Sequence, residues 1–266
     1  MSVNVAFVDD ARSHARAYSL AHELGLPLVD RAELERGQFD LFLQMDERGL
    51  ALREVTQGRG GGILVDFARG AAGYRVRTAR MGRQPLARAA GLHGEPLSVA
   101  DATAGLGTDA LMFARLGCSV LAIERSPVIA ALLRDGLERA ANATCSDLQA
   151  AARRVKLLVA DARVVLEGIS DDDAPDVVYL DPMYPSRRKS ALGKKAMRIC
   201  RLAVGPDTDV CRLLDTARRV ARRRVVVKRQ RLAPPLAPGR STHYLRRTVR
   251  FDVYAPAQLA RGTIAP

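Results

Sequence analysis

The chain has 266 residues, 48% of them apolar, and a formal net charge of +13. That length and apolar content suit one large domain, or a domain with a smaller appendage. They give no apolar run of the ~18 residues a membrane span needs. The first residues turn acidic and polar too early for a secretory leader, so a cytoplasmic protein is expected.

Residues 1–95 read as a small α+β appendage. Short apolar strands are expected around residues 4–10, 39–46 and 61–68, with a helix around 11–24. A boundary is expected near Gly91–Pro96, where glycine and proline accumulate. Residues 96–266 then form the second unit. There, apolar runs alternate with helical patterns: strands at 98–103, 118–124, 155–161, 176–182, 224–229 and 250–256, with helices from 108, from Pro127 and over 209–221. Runs this apolar are buried on both faces, and their alternation with helices predicts a parallel sheet covered by helices. The expected fold is α/β, a doubly wound Rossmann-like domain.

The first of these strands ends in Asp101-Ala-Thr-Ala-Gly105-Leu-Gly107. Glycines between a strand and a helix permit a tight turn and let backbone N–H groups approach a ligand. Gly105, Gly107 and Ala110 also satisfy the dinucleotide pattern G-x-G-x-x-A, so this loop alone leaves a nicotinamide oxidoreductase open. The next strand ends at Glu124, whose carboxylate can accept both hydroxyls of an adenosine ribose. The third ends at Asp161, which can accept from an adenine amino group. Any one such carboxylate is more readily a helix N-cap; together, Asp101, Glu124 and Asp161 at adjacent strand tips favour an adenosine-binding crevice.

The fourth strand leads into Asp181-Pro182-Met183-Tyr184-Pro185. This resembles the Asp/Asn-Pro-Pro-Tyr/Phe motif of methyltransferases acting on exocyclic amines of bases. The prolines restrict Asp181 and Tyr184 to extended backbone. A flat base can stack on Tyr184, while Asp181 and the Pro182 carbonyl accept its two amino hydrogens. S-adenosylmethionine, with its methyl on a positive sulfur, is the expected cofactor, and no metal is required.

Charge is unevenly distributed. Residues 186–250 carry twenty Lys/Arg against three Asp/Glu, whereas residues 101–185 carry eight against thirteen. Such concentration points to a polyanion. Arg187, Arg188, Lys189, Lys194, Lys195 and Arg198 directly follow the proline motif and are placed to hold RNA phosphates, with Lys228 a further candidate. Arg218, Arg219 and Arg222–Arg224 can equally be the polar end of a helix. Cys118, Cys145, Cys200 and Cys211 form no C-x-x-C pair, and the histidines at 14, 22, 93 and 243 are scattered. Neither zinc nor a disulfide framework is expected.

With these motifs in place, the chain resembles the RsmJ family, methyltransferases of guanine N2 in the 16S RNA of the small ribosomal subunit. Further stretches carry the likeness: Gly61 to Phe67, Leu121 to Pro127, Val204 to Asp207, Val225 to Arg229, Ala233 to Leu236 and Phe251 to Tyr254. The resemblance implies S-adenosylmethionine contacts at Thr108, Asp109, Glu124, Arg125, Asp161, Ala162 and Asp181. It implies 16S rRNA or the small subunit as partner. Asp161-Ala162 and Gln230 are local departures from the expected pattern. Two other functions stay open on the residues alone: the nicotinamide oxidoreductase, and a basic RNA-binding assembly factor without catalysis. A DNA adenine methyltransferase shares the proline motif.

Overall fold

The computed structural model describes residues 5–8, 14–55, 62–79, 84–182, 199 and 209–260. Its centre is a seven-stranded sheet of β6 (Ser98–Asp101), β7 (Ser119–Glu124), β8 (Val155–Val159), β9 (Val177–Leu180), β10 (Arg224–Gln230), β11 (Arg240–Leu245) and β12 (Val249–Tyr254). The strand order is β11-β12-β10-β9-β6-β7-β8. All neighbours are parallel except β12, which runs against both β10 and β11. β11 therefore runs the same way as β10.

The two faces of this sheet bury alternate residues. Val177, Tyr179, Val226 and Val253 belong to one apolar cluster; Val178, Leu180, Val225, Val227 and Tyr254 belong to another. This double burial is why the sequence shows continuous apolar runs instead of a two-residue alternation. The first face is covered by α5 (Thr108–Arg115), α6 (Pro127–Ala141) and α7 (Ser146–Arg153), the second by α8 (Ala162–Glu167) and α9 (Val210–Val220). Helix starts follow local chemistry. Ser126 accepts the Ile129 N–H at the head of α6, with Pro127 in the first turn, and Asp161 accepts the Arg163 N–H at the head of α8.

The N-terminal region contributes α1 (His14–Leu24), α2 (Arg31–Arg36), α3 (Gly70–Arg77), α4 (Pro85–Ala90) and a second, five-stranded sheet. That sheet holds β1 (Val5–Val8), β2 (Leu28–Val29), β3 (Leu41–Asp46), β4 (Gly49–Glu54) and β5 (Ile63–Leu64), ordered β2-β1-β3-β4-β5. The expected strands at 4–10, 39–46 and 61–68 correspond to β1, β3 and β5. β4 is additional, and so are the short β2, α7, α8 and β11. The Leu-Ala-Leu-Arg-Glu run of β4 consists of good helix formers; burial against α6 and pairing with β3 override that preference.

The Gly91–Pro96 boundary lies between α4 and β6. One apolar cluster continues across it, from Phe7, Leu41 and Leu52 to Leu111, Leu132 and Val226. α4 already packs on β10, β11 and β12, and α3 on α5. The packing is tight at Gly136 in α6, where a Cβ would lie 2.4 Å from Val65 Cγ1. Beside it, the buried Asp135 carboxylate accepts the Leu50 N–H of β4 (3.0 Å) and Arg139 Nε (2.9 Å). Arg139 also donates to the Val65 carbonyl.

Asp135 thus ties the N-terminal sheet to the central one. Asp135→Ala takes a partner from the half-buried Arg139 and strands the buried Leu50 N–H, and is expected to lower the unfolding free energy by about 2 kcal/mol. Chemical denaturation measures this; an unchanged midpoint would refute the tie.

Candidate functional site

The carboxyl ends of β6–β10 open on a cavity of about 320 Å³, a volume suited to a small ligand. The loop after β6 forms one wall. Gly105 (φ +53°) and Gly107 (φ +73°) both hold left-handed backbone, which side chains with a Cβ resist. Gly107 heads α5, and a Cβ there would sit 2.3 Å from Leu133 Cδ1. A Cβ on Gly105 would have only the Thr103 carbonyl near it, at 3.9 Å, so that side stays open.

Glu124 ends β7, buried against this loop. Its Oε2 accepts the Gly105 N–H (2.9 Å) and its Oε1 the Ser126 N–H (2.8 Å). A carboxylate offers about four acceptor sites, so these contacts aim it without exhausting it. Thr108, Asp109, Arg125, Asp161, Ala162, Asp181 and Pro182 also line the cavity, as do Asp101, Gly105, Gly107 and Glu124. Asp161 is exposed and engages Arg163, which also reaches Asp209 at 3.4 Å. Burial works to raise the Asp161 carboxyl; the Arg163 N–H and guanidinium outweigh it and lower the pKa. Met183, Tyr184, Arg187, Arg188, Lys189, Lys194, Lys195 and Arg198 lie outside the described residues.

At the base of the cavity lies a charge network that sequence reasoning missed. The register pairs Val227 with Leu180, which sets Lys228 opposite Asp181. Lys228 Nζ donates to Asp181 Oδ2 and to Asp109 Oδ2, each at 2.6 Å. Asp109 Oδ2 also accepts the Tyr179 hydroxyl (2.7 Å), and its Oδ1 accepts Arg75 of α3 (2.8 Å). The Asp181 N–H donates to Thr103 Oγ1 at 2.6 Å. Sequence reading offered Lys228 to RNA phosphates. Its ammonium instead bridges two carboxylates, with the side chain only 17% exposed.

Two signals could have found this network: a tyrosine hydroxyl in a doubly buried strand must find a partner, and so must a lysine closing an apolar run. Nothing local predicts Arg75, which comes from 34 residues before Asp109.

Burial alone would raise the Asp109 carboxyl, but Lys228 and Arg75 hold it below its ordinary range. Asp181 is raised, by burial and by the charge of Asp109, against the pull of Lys228. Asp101 is pushed well above the carboxylate range, first by burial and then by Asp109, with the Thr103 N–H opposing. Desolvation disfavours the Lys228 ammonium, yet the two carboxylates keep it firmly charged.

This lining fits a ligand with hydroxyls and polar ends: an accepting carboxylate oriented at Glu124, an open glycine loop and a floor of paired charges. Among the described residues, no group of three His, Cys, Asp or Glu side chains could hold a metal, and no helix is long and apolar enough to cross a membrane.

Residues 27–256 match the family described as "Putative SAM-dependent methyltransferase". The chain is 48% identical over 241 residues to the ribosomal RNA small subunit methyltransferase J of Thioalkalivibrio sulfidiphilus, covering 90% of this chain and 92% of the relative. It is 43% identical to the protein of the same name from Nitrosococcus oceani, covering 95% and 98%. The crystal structure of a SAM-dependent methyltransferase from Neisseria gonorrhoeae superposes with a TM-score of 0.74 at 31% identity, over 99% of this chain and 100% of that one.

Asp101 has a folded pKa above its unfolded value, so the fold loses stability as pH rises out of the ordinary carboxylate range toward the raised value. Asp101→Asn removes that cost and keeps an acceptor for the Thr103 N–H. The variant is expected to melt higher than the parent at neutral pH, with the gain vanishing as pH falls below the ordinary carboxylate range. Calorimetry across pH checks this; a gain independent of pH would contradict it.

Proposed function

The chain belongs to the family of SAM-dependent methyltransferases that includes the relatives named ribosomal RNA small subunit methyltransferase J, and we propose that it methylates the exocyclic N2 of a guanine in 16S ribosomal RNA. The nicotinamide alternative falls with that membership. The observation that carries the proposal is the Asp181 carboxylate, held at the cavity floor by Lys228 and by its own N–H on Thr103.

In this reading Glu124 takes the ribose hydroxyls, Asp161 and Ala162 border the adenine, and the loop Asp101–Gly107 with Thr108 and Asp109 receives the amino-acid end. Arg125 flanks the adenosine. S-adenosylmethionine, when bound, supplies a methyl group already activated on a sulfonium.

The chain's own contribution is position and proton handling. The lone pair of a guanine N2 is delocalised into the ring. Asp181 and the Pro182 carbonyl accept its two hydrogens, enrich the nitrogen and aim it at the methyl carbon, while Tyr184 stacks on the base. Orientation of this kind can contribute about 7–11 kcal/mol. As the carbon–nitrogen bond forms, the nitrogen sheds a proton. A carboxyl held above its ordinary range, as at Asp181, is basic enough to take it. Lys228 fixes the Asp181 oxygen and balances its charge. Arg187, Arg188, Lys189, Lys194 and Lys195 hold phosphates beside the target.

Mapping 16S RNA by mass spectrometry is the direct test. N2-methylguanine at one position should vanish in cells lacking the protein and return with the parent gene. Asp181→Ala should fail to restore it, with transfer in vitro down by about a hundredfold or more and an intact fold. Methylation on adenine, or normal transfer by Asp181→Ala, would overturn the assignment. Lys228→Met should cut the transfer rate but leave the salt dependence of RNA binding unchanged, since its ammonium sits on carboxylates. A flatter salt dependence would return Lys228 to the phosphates.

A further inference from the structure

Among the described residues of the basic segment, the surface arginines fall at two opposite ends of the sheet. Arg218 donates to the Ala255 carbonyl, Arg222 to the Asp171 and Asp172 carbonyls and Arg224 to the Ala89 carbonyl. Arg219 meets Glu167 and Arg223 meets Asp176. Arg222–Arg224 lead into β10, so they cluster at the amino end of the strands, away from the cavity. They are structural.

The second group stands at the opposite end. Gln230, the last residue of β10, pairs with Val249, the first of β12. The turn 246–248 between β11 and β12 therefore lies at the carboxyl end of the sheet, as the cavity does. The Arg231 N–H donates to the Thr248 carbonyl (3.1 Å), which brings Arg231 beside Arg246 and Arg247. All three are exposed, and among the described residues none has a carboxylate partner.

The platform under them is rigid. Arg250 pairs with the fully buried Asp252 (2.7 Å) and donates to the Arg231 (3.0 Å) and Ala233 (2.8 Å) carbonyls. Asp252 also receives Arg240 at 2.9 Å. Buried charge thus shapes a loop whose outer face carries only positive charge. Leu232, 90% exposed, stands next to Arg231 and offers an apolar contact to a base or sugar.

We propose that Arg231, Arg246 and Arg247 form a preformed RNA-phosphate site that docks the strand flanking the target nucleotide. The inference rests on the RNA methyltransferase reading for its ligand. β11 lies two strands from β10, roughly 10 Å across the sheet. A strand whose target base enters above Asp181 and Lys228 can lay neighbouring phosphates on this turn. Three guanidiniums without a carboxylate partner among the described residues suit phosphate oxygens, which they can bind in bidentate fashion. Such contacts position the strand without reading its sequence.

The test compares parent protein with Arg246→Glu/Arg247→Glu and with Arg231→Glu. Arg36→Glu/Arg48→Glu matches the double charge change on remote exposed residues. Anisotropy titrations on a 16S RNA transcript at several salt concentrations read affinity. Calorimetry with S-adenosylmethionine confirms that the cavity is intact. The double variant should bind RNA at least tenfold more weakly, with a flatter salt slope, a raised KM for RNA and an unchanged kcat at saturating RNA. The remote pair should behave like the parent.

Equal losses in both double variants would reduce the effect to net charge and overturn the site, as would parent-like binding by the turn variants. If the parent binds RNA but methylates a different base, the reaction assignment fails while a selective loss at the turn still upholds the docking site. A parent that binds no RNA even at low salt overturns both.

Discussion

The arrangement of the cavity depends on one buried ammonium. Asp101, Asp109 and Asp181 converge where three strand ends meet, and like charges this close would repel. Lys228 sits 2.6 Å from two of them, and the third is pushed toward its neutral form. The lysine can do this only because β10 lies next to β9 in the register that pairs Val227 with Leu180. Strand order therefore fixes an electrostatic state. The antiparallel β12 adds a second effect: it forces a turn, with its arginines, to the end of the sheet where ligands bind.

Much of this was legible in the sequence. The inner strands of the central sheet announce themselves because both faces are buried, so Val177–Leu180 and Val225–Val227 are uninterrupted apolar runs. The strand-tip residues Asp101, Glu124, Asp161 and Asp181 line one cavity, as tips of neighbouring parallel strands should. β11 was hidden because its Arg-Ser-Thr-His-Tyr-Leu sequence lies on an exposed edge and carries no apolar periodicity. β4 was hidden by helix formers. Each pairs with the strand beside it in sequence, but each also packs on a helix far along the chain, β4 on α6 and β11 on α4, and no short window contains those helices.

Charge was harder to read than hydrophobicity. A count of Lys and Arg over residues 186–250 pointed to a polyanion but left open which of them face it. Placement divides them: Arg218 and Arg222–Arg224 tie carbonyls and carboxylates at the amino end of the sheet, Arg229 and Arg250 support a loop from inside, and Lys228 serves the cavity. The net charge of a segment says nothing about which of its guanidiniums already has a partner.

The dent at Gly136 has a consequence for how this protein can be divided. α6 belongs to the cofactor-binding half, yet it is hollowed to receive Val65 from the N-terminal half. The same N-terminal half extends Arg75 to the cavity's Asp109. A nucleotide-binding half transplanted alone would carry an unfilled groove along its longest described helix and an under-compensated carboxylate in its pocket. The N-terminal half is therefore better regarded as a part that completes the pocket, through Arg75, than as cargo attached to it.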